Sequence, residues 1–131
     1  MIIDSHCHLI SSRYEKPIHE IIDTCKSCNI SLLLNISTKE NEFNEILSLS
    51  KKYKQIYNSI GIHPHETENL DIGIFNKIDD IIKQNNKTIA VGETGLDFYY
   101  NNSKKKDQIT SFEKHIDIAL KHNLPIVVHS R

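Results

Sequence analysis

Short apolar segments of the β-strand type alternate with amphipathic helical segments along this 131-residue chain. Strands that alternate with helices form parallel sheets joined by right-handed crossovers. The pattern therefore predicts an α/β fold with about five parallel strands and four helices. The predicted strands cover residues 1–5, 30–36, 56–62 and 88–92, and a fifth opens at Leu124.

The helices are predicted from apolar residues that recur at helical spacing. Pro17 suits the first turn of the first helix, and Ser37 or Thr38 is a candidate N-cap for the second. The last helix is predicted over residues 108–123. Its expected buried stripe consists of Ile109, Phe112, Ile116, Ala119 and Leu120.

Charge and hydropathy exclude several classes of protein. Sixteen basic and seventeen acidic residues give a formal charge of −1, which argues against an extended nucleic-acid-wrapping surface but allows a local phosphate-binding site. The apolar runs are too short to span a bilayer, and no secretory signal is present. We therefore expect a cytoplasmic protein with no membrane partner. The lysines 104–106 are interpreted as part of a solvated loop.

The three cysteines include a C-x-x-C pair, Cys25 and Cys28. That spacing occurs in redox and zinc sites. A zinc site needs further ligands, and no second cysteine pair accompanies this one. Both residues are therefore interpreted as reduced structural thiols.

Five of the eight histidines fall near the C-terminal ends of predicted strands, which is the edge where α/β folds bind ligands. His6 and His8 are two residues apart, so on a strand they share one face while Cys7 points to the other. A carboxylate, Glu93, follows the fourth strand. The remaining histidines at this edge are His63, His65 and His129.

The other three histidines lie within predicted helices and are interpreted as structural: His19, His115 and His122. At the strand ends, by contrast, imidazole and carboxylate groups form a set that suits zinc, and carboxylates with water also suit magnesium or manganese. The two oxygens of Glu93 can bridge two ions about 3.5–4 Å apart. The sequence therefore predicts a divalent-metal site and metal-assisted hydrolysis.

Four stretches resemble the TatD-type metal-dependent deoxyribonucleases, a branch of the amidohydrolase-like (β/α) barrels. They occur in the family's order and are spread over nearly the whole chain: DSHCHL (4–9), GIHPH (61–65), VGETGLDFYY (91–100) and QITSFEKHIDIALKHNLPIVVHSR (108–131). The resemblance implies a partial TIM-type (β/α) barrel, with residues 1–131 as a single truncated metal-dependent hydrolase domain.

The resemblance also implies a ligand set for two divalent ions, magnesium, manganese or zinc. His6 and His8 would bind the first ion and His129 the second, with Glu93 bridging the two. Many amidohydrolase relatives have a modified lysine on the fourth strand. Here that position holds Glu93, which favours the nuclease branch.

Further residues of the matching motifs are assigned to the substrate. His63 would lie beside the ions as a catalytic residue, with Glu93, and would contact the substrate phosphate. His65 is a second candidate substrate contact. Asp97 and Arg131 fall within the motifs without an assigned role.

The implied function is hydrolysis of DNA phosphodiester bonds. A complete barrel takes about 250 residues, and the family's site uses a histidine and an aspartate from later strands, which these 131 residues do not include. Two alternatives stay open. One is an ester or amide hydrolase of the same barrel group. The other is a non-catalytic half-barrel that self-associates, or pairs with a complementary half, through its open edge.

Overall fold

The computed structural model describes residues 1–100 and 102–131. The strands form one parallel sheet in the order β1-β2-β3-β4-β5, each pairing with its neighbour in sequence. This is the partial (β/α) barrel that the sequence predicts. Its elements are β1 (Ile2–Cys7), α1 (Ile18–Ser27), β2 (Ile30–Ile36), α2 (Phe43–Lys52), β3 (Ile56–Ile60), α3 (Gly73–Gln84), β4 (Thr88–Leu96), α4 (Lys105–His122) and β5 (Ile126–Ser130).

Two clusters of apolar side chains fasten the helices to the sheet. The larger cluster includes Phe43 of α2, Ile78 of α3 and Val91 of β4, and the smaller one joins Ile22 of α1 to Leu33 of β2. Burying one such side chain contributes about 1.5–3 kcal/mol relative to leaving it exposed. These contacts hold the strands in register and so set the positions of their C-terminal ends.

The first strand differs from the prediction. The apolar run in the strand predicted over residues 1–5 is typical of a buried strand. In the structure β1 runs from Ile2 to Cys7, and its apolar residues Ile2 and Ile3 are 53% and 55% exposed. The reason is its position, because β1 lies at one edge of the sheet and, among the residues that the structure describes, pairs only with β2. An apolar run alone does not distinguish a central strand from an edge strand.

The predicted buried stripe of the last helix is confirmed only in part, since Ala119 is buried in the core and Phe112 is half-buried. Ile109, Ile116 and Leu120 of α4 are exposed. The buried side instead carries polar residues that find hydrogen-bond partners, among them Gln108 and His115. Because hydrophobic periodicity treats polar residues as solvent-facing, it assigns Ile109, Ile116 and Leu120 to the core and overlooks Gln108 and His115.

Several element boundaries also require correction. The last helix begins at Lys105 rather than at residue 108, so the predicted lysine loop is partly helical. Neither Ser37 nor Thr38 caps α2, which begins after a short 3-10 turn at residues 40–42. The fourth strand continues to Leu96, so Glu93 lies within β4 rather than after it.

The cysteines are free thiols, and Sγ of Cys7 donates to the carbonyl oxygen of Leu34 at 3.3 Å. Burial raises the pKa of the Cys7 thiol to about 12. Among residues 1–100 and 102–131, no helix combines the length and the apolar character that crossing a membrane requires.

Candidate metal centre

The two carboxylate oxygens of Glu93 face different histidines at the C-terminal edge of the sheet. Oε2 lies 3.4 Å from Nε2 of His6 and 3.6 Å from Nε2 of His8. Oε1 lies 3.2 Å from Nδ1 of His129 and 3.8 Å from Nε2 of His63. The structure therefore brings together residues from β1 and the position just after it, from the loop that follows β3, from β4 and from β5. The sequence predicts this convergence at the C-terminal edge.

Three overlapping groups in this cluster have ligand atoms that all lie within 4.8 Å of one another, close enough to share an ion. The groups are His6–His8–Glu93, His63–Glu93–His129 and His65–Asp97–His129. The first two share only Glu93. A mixed imidazole and carboxylate set of this kind suits a divalent transition metal, and each oxygen of the Glu93 carboxylate lies near a different group of histidines.

A cavity of about 380 Å³ opens over the cluster. It is lined by His6, His8, Arg13, Thr38, His63, His65, Glu66 and Glu93. This volume falls within the size of small-molecule sites. The cluster is therefore open to a ligand.

The hydrogen bond of His8 to the main chain determines which of its nitrogens faces the cluster. Nδ1 of His8 lies 2.8 Å from the carbonyl oxygen of Ile36, which can only accept, so Nδ1 carries the proton. In the neutral ring, Nε2 then presents its lone pair towards His6 and Glu93. A histidine that donates through its other nitrogen is the usual arrangement for a metal ligand.

His63 has the opposite arrangement. Its Nδ1 accepts a hydrogen bond from the main-chain nitrogen of His65 at 3.2 Å, so the neutral ring carries its proton on Nε2, the atom nearer Glu93. Burial, with a smaller contribution from the neighbouring His129 and His65, lowers the pKa of His63 to about 4. At neutral pH His63 is therefore a hydrogen-bond donor to the cavity, which suits an oxygen ligand better than a cation.

Two buried serines fix the backbone that carries Glu93. The carbonyl oxygen of Ser37 accepts from the main-chain nitrogen of Glu93 at 3.1 Å, and Oγ of Ser59 donates to the carbonyl oxygen of Gly92 at 2.7 Å. Oγ of Ser37 also bonds both the nitrogen and the carbonyl oxygen of Gly61. From the sequence, Ser37 is considered only as a helix cap and Ser59 has no assigned role, although a small hydroxyl at the end of an apolar strand is a usable signal.

A buried asparagine holds the segment that follows His8. Oδ1 of Asn35 accepts from the nitrogen of Leu9 at 2.7 Å, and its Nδ2 donates to the carbonyl oxygen of Leu9 at 3.2 Å. This pair of bonds replaces main-chain pairing beyond the end of β1. Asn35 therefore helps to set the direction of His8, and the sequence reasoning missed it as well.

Asp97 lies next to the cluster and is fully buried. Its Oδ2 is 2.7 Å from Nε2 of His65 and 3.0 Å from Nε2 of His129. Burial acts to raise the pKa of this carboxyl, but hydrogen bonds from Tyr100, His65 and His129 outweigh it and hold the pKa well below the usual range. The sequence places Asp97 in a motif without predicting these contacts.

Arg13 brings a positive charge to the wall of the cavity. Its Nη2 donates to Oγ1 of Thr38 at 3.0 Å and to Oε1 of Glu42 at 2.9 Å. Burial acts to raise the pKa of Glu42, but bonds from Thr38 and Arg13 lower it overall, so Glu42 is ionised and pairs with Arg13. Sequence reasoning gave Arg13 no role because it lies in an isolated turn between β1 and α1.

Comparisons with known proteins identify a family for this chain. The family model described as TatD related DNase matches residues 3–131. An uncharacterized metal-dependent hydrolase of Buchnera aphidicola subsp. Acyrthosiphon pisum is 38% identical, over 99% of this chain and 52% of the relative's length. The deoxyribonuclease TATDN3 of Homo sapiens is 26% identical, over 99% of this chain and 52% of its own length.

A solved structure shows the same fold. The TatD homologue YjjV from Escherichia coli K12 superposes with a TM-score of 0.86 at 22% identity, covering 99% of this chain and 51% of that one. The chain thus spans about half the length of the relatives it matches. With a family model matched from residue 3 to residue 131, this chain belongs to the TatD-related DNase family.

Proposed function

We propose that this chain forms the ion-binding half of a hydrolase that cleaves DNA phosphodiester bonds with two divalent ions. The observation that carries the proposal is the placement of Glu93, whose two oxygens face separate histidine groups. The family's description as DNases and the name of the human relative support DNA as the substrate.

The donor set fits the proposed ions, which are magnesium, manganese or zinc. We assign Nε2 of His6 and His8 with Oε2 of Glu93 to one ion, and Nδ1 of His129 with Oε1 of Glu93 to the other. When bound, a pair of ions activates a water molecule and stabilises negative charge on a phosphoryl oxygen. The protein's part is to hold these ligand atoms in place and to shape the cavity around them.

The substrate phosphate is assigned to the donors that line the rest of the cavity. His63 presents its Nε2 proton there, because its Nδ1 is occupied by the main chain. Its ring lies 4.4 Å from that of His65, which lines the same cavity and is assigned a second substrate contact. Donors fixed before the substrate arrives need no reorganisation during the reaction.

The direct test is an assay with the 131-residue chain, using labelled single-stranded and duplex DNA and p-nitrophenyl acetate, with each metal or with EDTA. We expect metal-dependent DNA cleavage that Glu93→Gln abolishes. The matched control Glu40→Gln alters an exposed carboxylate that pairs only with Lys77 among the described residues and should leave the rate unchanged. Turnover of the ester alone would contradict the nuclease proposal, and no turnover of any substrate would favour the non-catalytic alternative.

We also propose that the chain self-associates through its open edge. Val128 of β5 is exposed at the end of the sheet, and Ile116 and Leu120 are exposed on α4. An unpaired strand edge beside apolar side chains favours pairing with another chain. Sedimentation velocity should show concentration-dependent dimers that Leu120→Ser weakens. A monomer at every concentration would contradict this proposal.

A further inference from the structure

We propose that Asp97 is a positioning residue that fixes the orientation and the tautomer of His129 and His65. The inference rests on the proposed function, because His129 is one of the ligands assigned there. Its basis is one carboxylate oxygen, Oδ2 of Asp97, which lies 3.0 Å from Nε2 of His129 and 2.7 Å from Nε2 of His65. The position of Asp97 in the sequence does not by itself assign this residue a role in the cluster.

The carboxylate is itself held rigidly. Its Oδ1 accepts from the main-chain nitrogens of Tyr99 and Tyr100, both at 3.1 Å. The side chain of Gln108 in α4 fixes the main chain at this point, because its Oε1 accepts from the nitrogen of Asp97 and its Nε2 donates to the carbonyl oxygen of Asp97. Because hydrogen bonds hold both the carboxylate and the main chain of Asp97, its Oδ2 is a fixed acceptor for the two rings.

The consequence for His129 concerns which nitrogen is left for an ion. An ionised carboxylate only accepts hydrogen bonds, so each Nε2 that contacts it carries a proton. The ring of His129 contacts two carboxylates, and Asp97 is the nearer, at 3.0 Å against 3.2 Å for Oε1 of Glu93. Asp97 is also the more deeply buried of the two, so we assign the single proton of the neutral ring to Nε2, which leaves the lone pair on Nδ1. A carboxylate behind a ligating histidine also increases the basicity of the ligand.

His65, Asp97 and His129 are also close enough to form an ion site of their own, but the distances between their atoms favour hydrogen bonds. Ligands about 2.0–2.1 Å from a tetrahedral ion lie about 3.3–3.4 Å apart. The separations of Oδ2 from His65 and His129 are 2.7 Å and 3.0 Å, which are ordinary N–H···O distances. We therefore assign Asp97 as an acceptor rather than as a ligand.

The first test reads the tautomer directly in the metal-free 131-residue chain. Long-range proton–nitrogen NMR distinguishes Nδ1–H from Nε2–H imidazoles, and His129→Gln and His65→Gln identify the two signals. We expect both rings in the Nε2–H form, and a mixture of forms in Asp97→Asn. A wild-type His129 in the Nδ1–H form overturns the proposal, whether or not the variant folds.

The second test measures ion binding by calorimetric titration with manganese or zinc. Asp97→Asn should lower the affinity for one of the two ions by about 10–100-fold, the usual effect of losing the hydrogen-bond partner of a metal ligand. The affinity for the other ion should stay unchanged. Loss of a third ion would show that Asp97 is a ligand and would overturn the assignment. Unchanged affinity for every ion would overturn it as well.

A matched control is available in α3, at the C-terminal end of α4. Asp79 is a carboxylate with a similar partner, since its Oδ1 lies 2.6 Å from Nε2 of His122, and it also pairs with Lys121. Asp79→Asn should leave ion affinity and the His129 tautomer unchanged. If the chain cleaves no DNA but NMR shows His129 and His65 in the Nε2–H form, the proposed function is rejected and the positioning role of Asp97 stands.

Discussion

The ammonium group of Lys87 lies 2.8 Å from the carbonyl oxygen of Ser50, close to the C-terminus of α2. The same group lies within 3.2 Å of the carbonyl oxygens of Tyr53, Lys54 and Ile56. The last carbonyls of a helix have no partner within the helix. Because Lys87 directly precedes β4, one side chain joins the end of α2, the start of β3 and the start of β4.

Replacing this lysine should lower stability. We expect Lys87→Met, which keeps the apolar stem, to reduce the free energy of unfolding by about 1–3 kcal/mol, because carbonyl groups lose a charged donor. Urea denaturation measures the difference. The control Lys114→Met alters an exposed lysine of α4 and should change stability by less than about 0.5 kcal/mol. Equal effects of the two substitutions would contradict the structural role of Lys87.

The shared position of Glu93 predicts a pattern of ion affinities. Glu93→Gln should lower the affinity for both ions, because one carboxylate faces both histidine groups. His8→Gln should lower the affinity for one ion, and His129→Gln should lower the affinity for the other. Each affinity should fall tenfold or more, which corresponds to at least about 1.4 kcal/mol of binding free energy. Calorimetric titration with manganese measures these effects. If Glu93→Gln removed only one ion, the carboxylate would not be a bridge.

A glycine opposite His129 allows the close approach of β4 and β5. Gly95 has φ +138°, and a Cβ placed there would lie 2.1 Å from the carbonyl oxygen of His129. Gly95→Ala should therefore cost about 2–4 kcal/mol of stability and weaken the ion assigned to His129. In the control Gly73→Ala the new methyl group meets Asp71 at ordinary contact distance, 3.4 Å, so no such loss is expected. Thermal unfolding and ion titration of both variants provide the measurement.

The buried His115 predicts how stability depends on pH. Its Nδ1 donates to the carbonyl oxygen of Ser111 and its Nε2 accepts from the nitrogen of Ile62, so the folded state requires the neutral ring. Burial lowers the pKa of His115 to about 4, whereas the unfolded chain has a pKa of about 6.5. The stabilisation is therefore complete above pH 6.5 and is lost as the pH falls towards 4, by an amount on the order of 3 kcal/mol.

Urea denaturation between pH 4 and 7 tests this expectation. His115→Gln should remove a large part of the pH dependence, because an amide does not titrate in that range. His19→Gln changes an exposed histidine and should retain the wild-type dependence. A His115→Gln curve parallel to that of the wild type would contradict the assignment.

Much of the fold follows from patterns that the sequence displays directly. The alternation of strand-type and helical segments predicts a parallel sheet, and parallel strands place their C-terminal ends at one edge. His6, Glu93 and His129 are therefore predicted to converge from positions far apart in the chain, and the structure places their ligand atoms within a few ångströms of one another. The assignment of those atoms to two ions stays a prediction.

The missed features depend on partners that no periodicity reveals. Asn35, Ser37 and Gln108 are buried because their side chains bond main-chain groups of distant segments. Hydrophobic spacing alone assigns polar residues to the surface. The face of α4 that carries Gln108 is an example, because Gln108 is polar and yet buried. The exposure of Ile2 in β1 has a similar origin, because it depends on the order of strands in the sheet rather than on local composition.

The lysine bridge of Lys87 and the histidine–carboxylate cluster lie at opposite ends of the same parallel strands. The candidate ligand atoms therefore lie where the strands end and the loops begin, whereas the contacts of Lys87 lie at the opposite end of the sheet. A substitution in the loops beside the cluster can therefore change which ligand the cavity accepts without breaking the contacts that tie α2, β3 and β4 together.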